Sequence, residues 1–251
     1  MHSEIIVKNN TKIPLENKID QINTCIQSIH GNAAVELVSI TCDDISYKTP
    51  NFTTSGIFRL HGLVKLHNKL QPWCVILKII KPDTAEKDNI EHHNYWRREA
   101  LVFKSGVLRE LPDSIYAIES YLVDEQQDGT IWIWMEYVKG EYANTIEQFS
   151  YIAQQLGRCN GAYLKGIRTV PNHEWICRAW LKSWTTASRM YAPNIEAYAS
   201  RISTENEQST WTWYKKILEN IDSTVDSLQQ LPRVLAHQDM SQMNMLLYKL
   251  N

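Results

Sequence analysis

Val234-Leu235-Ala236-His237-Gln238-Asp239-Met240-Ser241-Gln242-Met243-Asn244-Met245-Leu246-Leu247 sets His237, Asp239 and Asn244 in the spacing H-x-D-x-x-x-x-N between two apolar runs. A loop that leaves one strand end and returns into a strand within five residues aims a carboxylate and an amide at one point. Val234-Leu235 and Met245-Leu246-Leu247 are the expected anchors on either side. Phosphoryl transfer needs this pair of groups: a carboxylate within hydrogen-bond reach of the attacking hydroxyl, and an amide oxygen on a magnesium ion that neutralises the triphosphate. Asp239 is therefore the candidate catalytic residue and Asn244 the candidate metal ligand. Chance alone gives three fixed residue types at this spacing in roughly one chain per hundred of this length. Its weight depends on what lies upstream.

Val75-Ile76-Leu77-Lys78, inside the apolar run Cys74 to Ile80, reads as a short buried strand carrying one lysine. It resembles the V-A-I-K strand of kinases, whose lysine holds the nucleotide phosphates. A lone lysine in such a run needs an anion. Glu99 is the candidate partner, in a helix expected over Glu91 to Phe103. Next comes Ile131-Trp132-Ile133-Trp134-Met135-Glu136-Tyr137-Val138-Lys139-Gly140, an apolar strand running into a glycine-ended turn, with Asp128-Gly129 predicting a hairpin just before it. An extended backbone offers a donor and an acceptor side by side, which suits the edge of a flat heterocycle.

With lysine, glutamate, hinge and catalytic loop in this order, residues 33 to 251 resemble the aminoglycoside phosphotransferase and choline kinase branch of the protein-kinase-like fold. The helix expected at Ile152-Ala153-Gln154-Gln155-Leu156-Gly157-Arg158-Cys159-Asn160-Gly161-Ala162-Tyr163 and the long aromatic-rich interval before His237 favour that branch. The resemblance implies an ATP- and Mg2+-dependent kinase acting on a hydroxyl of a small molecule. It implies an α+β, two-lobed fold: a nucleotide lobe over residues 1–138, with an N-terminal helix at about 15–30, and a mostly helical lobe over 139–251 that holds the catalytic loop 237–244. Lys78, steadied by Glu99, would grip the phosphates, and Met135 would sit behind the adenine. The Glu136 carbonyl and the Val138 amide would bond its edge.

The chain also departs from that family. No G-x-G-x-x-G precedes Lys78, and the candidate phosphate-covering turn is Asn51-Phe52-Thr53-Thr54-Ser55-Gly56, where Ser55 and Gly56 would offer a hydroxyl and backbone amides. Gln238 stands where protein kinases have arginine and many antibiotic kinases glycine. The aspartate that bridges magnesium to the phosphates in this fold has no counterpart before Asn251. Met245 to Leu250 is accordingly expected as a strand without a partner. Hence the alternative reading, a catalytically inactive pseudokinase or nucleotide-binding fragment.

Composition bounds the remaining options. Of 251 residues, 43% are hydrophobic, enough for a sizeable core, and a net charge of -2 gives no reason to expect nucleic acid or an anionic membrane as partner. No apolar run approaches a membrane span. Cys25, Cys42, Cys74, Cys159 and Cys177 are odd in number and widely spaced, which predicts reduced thiols in a cytoplasmic protein. His92 and His93 read as surface residues. Strands are expected at Ala34–Thr41, Gly56–Leu66, Trp73–Ile80, Ile115–Val123 and Ile131–Val138, forming an antiparallel sheet. Helices are expected at Ile146–Leu164, Glu174–Tyr191, Ile195–Ile202 and Thr210–Leu228. Trp175, Trp180, Trp184, Tyr191, Trp211, Trp213 and Tyr214 form a candidate aromatic wall for an acceptor. The seven acidic and six basic residues from Pro171 to Gln230 argue against a strongly cationic acceptor.

Overall fold

The computed structural model describes residues 5–47, 53–191, 197, 200–201 and 204–248. Its first half is a six-stranded sheet: β1 (Ile6–Asn9), β2 (Glu36–Asp44), β3 (Thr54–Leu66), β4 (Lys69–Ile80), β5 (Ser120–Glu125) and β6 (Ile131–Glu136), in the order β1-β2-β3-β4-β6-β5. Neighbours are antiparallel except β1, which pairs parallel with β2. The sheet is thus mixed, not antiparallel throughout. The correction comes from a four-residue edge strand too short to carry a visible alternation.

Two tight turns set the register. His67 and Asn68, at φ 49° and 60°, join β3 to β4 with the backbone that a two-residue hairpin requires. Gly129, at φ 82°, closes the expected Asp128-Gly129 turn, and the Asp128 carboxylate accepts from the Thr130 amide and hydroxyl.

The pleat then sorts side chains onto two faces. Trp73, Val75, Leu77, Trp132 and Trp134 join one buried cluster, together with Leu15, Ile22, Cys25 and Ile26. The last three belong to α1 (Ile19–His30), which ends at Gly31 in the left-handed conformation, with the Asn32 amide donating back to the Gln27 carbonyl. Ile80, Ile131, Ile133 and Met135 form a second cluster on the opposite face with Trp96 and with Ala100 of α2 (Arg98–Ser105).

The helix expected from Glu91 begins only at Arg98. Upstream, side chains take the backbone groups that a helix would use: Asn89 accepts from the Glu91 amide, His92 from the Asn94 amide, and Arg98 binds three carbonyls. After β6 come β7 (Glu141–Tyr142), α3 (Ile146–Leu164), α4 (Trp180–Tyr191), α5 (Glu205–Glu219), α6 (Ile221–Gln229) and β8 (Leu246–Leu247). α3 matches its expected span and starts on a capping box of Thr145 and Gln148. The helix expected over Thr210–Leu228 is two helices, interrupted at Asn220, whose side-chain amide donates to the Lys216 carbonyl. The helix expected at Ile195–Ile202 falls largely outside the described residues. Among the described residues, no helix is long and apolar enough to cross a membrane.

Candidate functional site

Lys78 stands between Ile76 and Ile80 on the α2 face of β4, opposite Ile57 of β3 and Ile133 of β6. Its ammonium meets both carboxylate oxygens of Glu99, at 2.8 and 2.7 Å. The lysine side chain is 19% exposed and the glutamate 38%, so the pair sits at a wall of the sheet that still opens to water. A charge set among apolar neighbours is tolerated when its partner is this close. The sequence-predicted pairing is thus observed.

β6 carries the second group. Met135 is buried on the Lys78 face, and Glu136 ends the strand. The Glu136 amide donates to the Glu119 carbonyl at 2.8 Å, while its carboxylate accepts from the Tyr116 hydroxyl and the Glu119 amide. Burial, and then Glu136, push the Tyr116 phenol up to about 12. Val138 lies beyond the strand, and its amide has no acceptor among the described residues. The segment after β6 therefore offers, among the described residues, one backbone donor beside a buried methionine. A hollow near it touches Trp73, Tyr121, Glu136 and Tyr137 but neither Lys78 nor Asp239, so it is separate from these groups.

The H-x-D-x-x-x-x-N segment is a compact, exposed loop. The Asn244 side-chain amide donates to the Asp239 carbonyl at 3.0 Å and to the Asp239 carboxylate at 2.8 Å, and the Asp239 amide donates to His237 Nδ1 at 3.3 Å. Since Nδ2 of Asn244 serves Asp239, its Oδ1 is left as the acceptor atom. The two residues that the spacing singled out do converge.

β8 is not an unpaired strand. Leu246 and Leu247 pair antiparallel with Tyr142 and Glu141, a few residues past the end of β6, which corrects the expectation of an open edge. The sequence hid this partner because a two-residue strand has no period. Gln242 donates to the Ala143 carbonyl, and the Tyr248 ring meets that of Tyr116 at 5.7 Å, edge on. Gly140 lets the two backbones approach closely here: a Cβ on it would stand 3.0 Å from the Leu247 carbonyl.

Other expectations change. Ser55 and Gly56 lie within β3, at a register irregularity near Thr54, and not in a turn; Asn51 and Phe52 are outside the described residues. Gly56 is crowded, since a Cβ would meet the Phe58 ring at 2.4 Å. The aromatic wall separates into pairs: Trp180 on Trp184, Trp175 on His173, Trp211 near Tyr214. Trp213 is 65% exposed, and the Tyr191 side chain is outside the described residues. His92 and His93 stack on each other, and His93 bonds Ser183, which ties them to α4 rather than to open surface.

Sequence reasoning missed a charged cluster on β2 and β3, where Asp43 accepts from Arg59 at 2.8 Å and lies 3.1 Å from His61. It had a signal: three polar residues at alternating positions of apolar strands, all on one face. Among the described residues, no group of three or more His, Cys, Asp or Glu could hold a metal ion. Comparison with protein-family models, with curated proteins and with solved structures finds no match for this chain.

Proposed function

We propose that this chain is an ATP-dependent small-molecule kinase with the two-lobed, protein-kinase-like architecture, its nucleotide lobe over residues 1–138 and its helical lobe over 139–251. The observation that carries the reading is the Lys78–Glu99 ion pair, set among Ile57, Ile76, Ile80 and Ile133 on the α2 face of the sheet, with β6 leading to a Val138 amide that has no acceptor among the described residues. The convergence of Asp239 and Asn244 supports it.

In this reading Lys78 neutralises the nucleotide phosphates, and Glu99 keeps its ammonium turned toward them. Met135 backs the adenine, whose edge bonds the Glu136 carbonyl and the Val138 amide. Asp239 orients the acceptor hydroxyl and takes its proton as the acceptor oxygen bonds the terminal phosphorus and the bond to the ADP oxygen breaks. The Asn244 Oδ1 is the protein atom suited to hold Mg2+, which in such reactions needs only one or two protein ligands because phosphate oxygens and water supply the rest. Its chemistry is to neutralise charge building up on those oxygens.

Asp239→Asn tests the assignment, keeping size and hydrogen bonding while removing the base. Turnover, read as ADP release across a panel of hydroxyl acceptors, is expected to fall by about 10²- to 10⁴-fold, with ATP affinity by calorimetry unchanged. Full turnover in that variant would sink the role given to Asp239.

One observation favours a second reading, nucleotide binding without transfer: among the described residues, no carboxylate cluster accompanies Asn244. ATP affinity indifferent to magnesium, with no ADP formed from any acceptor, would select it.

A further inference from the structure

Arg98 stands one residue before Glu99 in the first turn of α2, a helix whose N-terminus has no side-chain cap. Its guanidinium is held by carbonyls. Nε donates to Trp175 at 2.7 Å, Nη1 to His93 at 2.8 Å, and Nη2 to Ile90 and His92, both at 2.8 Å. Three of these acceptors lie in the segment that leads into α2, and the fourth lies between α3 and α4. Two further bonds run in parallel: the His93 amide donates to Ser183 Oγ at 3.0 Å, and the Cys177 thiol donates to the Glu91 carbonyl at 3.4 Å. Burial lowers the Arg98 pKa from its usual value, but a guanidinium stays charged at any ordinary pH. Its rigid fork of donors reaches several fixed carbonyls at once, which a lysine cannot do.

Where a helix lacks its own cap, whatever holds its first turn decides where that turn points. Here the turn carries Glu99, and Glu99 carries Lys78. We infer that Arg98 is a positioning residue that joins the first turn of α2 to the Trp175–Ser183 segment, so that this segment sets the grip of Lys78 on the nucleotide phosphates. The inference rests on the nucleotide reading given above.

The test compares Arg98→Ala, the milder Ser183→Ala, Lys78→Ala and the double variant Lys78→Ala/Arg98→Ala in the full chain. Calorimetry uses two probes, ATP with magnesium and adenosine, because adenosine reports the hinge without the phosphates. Arg98→Ala is expected to weaken ATP about tenfold and adenosine less than about twofold, with Ser183→Ala shifting the same ratio about two- to threefold. The double variant is expected to bind ATP no more weakly than Lys78→Ala alone, since both changes break one chain of contacts. Equal losses for both probes, or additive losses, would make Arg98 a plain staple and overturn the inference.

If the unaltered protein binds neither probe, the nucleotide reading fails, and amide hydrogen exchange decides the coupling on its own. Arg98→Ala, or Ser183→Ala if the first does not fold, is expected to speed exchange in α2 and in residues 175–183 together while β4 and β6 keep their protection. Acceleration confined to one of the two segments rejects the coupling.

Discussion

Gln238 holds φ at 69°, a region that a side chain enters at a cost of about 1–2 kcal/mol, in the position between His237 and Asp239. A residue strained beside a candidate catalytic carboxylate is a constraint on how that carboxylate points. Gln238→Gly is expected to keep or raise the melting temperature, while Gln238→Val lowers stability by about 1–2 kcal/mol in urea titration. The reverse order would mean that the glutamine side chain matters more than its backbone. Asp43 offers a pH test. The Arg59 hydrogen bond, and then that from His61, hold its carboxyl below the usual 3.8, so the folded state favours the ionised form. A depressed carboxylate stabilises the fold above its unfolded pKa and loses that contribution as pH falls below 3.8 toward the folded value. Asp43→Asn is therefore expected to flatten the acid limb of the urea midpoint against pH. An unaltered acid limb would remove Asp43 from the account of acid unfolding.

At the scale of elements, the sheet depends on close backbone approach. Gly62 of β3 pairs with Ile40, next to the irregularity between Leu37 and Ser39 of β2, and a Cβ there would stand 1.9 Å from the Ser39 carbonyl. Gly62→Ala is expected to destabilise by about 1–3 kcal/mol, since the neighbour is backbone and has little room to shift. Wild-type stability in urea would show that β2 can move aside. β4, β6, the Asp128-Gly129 hairpin and α3 were legible in the sequence because alternation, turn chemistry and a capping box are local signals. The start of α2 was not, since its limit is set by an arginine acting on carbonyls, which every residue has. β1 and β7 were hidden by their length, and with β7 the partner of β8. In the candidate site, Lys78 and Glu99 stood out through a lone charge in an apolar run, and Asp239 and Asn244 through spacing. Arg98 gave no comparable sign, because its acceptors carry no side-chain identity.

At the scale of the whole molecule, the buried clusters among the described residues lie between Ile13 and Met135, and of the described residues after β6 few apolar side chains are buried: Ala143, Cys159, Tyr163 and Val225. Ile146, Leu164, Ile167, Trp213 and Leu228 are exposed. Stability is therefore uneven along the chain. Limited proteolysis is expected to cut first between α3 and α6 and to leave a protected N-terminal fragment that ends after Leu164. Early cleavage within β2 to β6 would contradict that gradient. The β7–β8 pairing adds a topological property. Tyr142 and Leu246 lie side by side though about a hundred residues separate them, so all that lies between is an excursion that leaves the end of the large sheet at β7 and comes back to it. Closing a flexible loop grows costlier only with the logarithm of its length, about 0.6 kcal/mol for each doubling. New segments spliced into the excursion, or old ones trimmed from it, would leave its pinned ends where they are. The interval is free to diversify as a cassette while the residues at its mouth keep their aim.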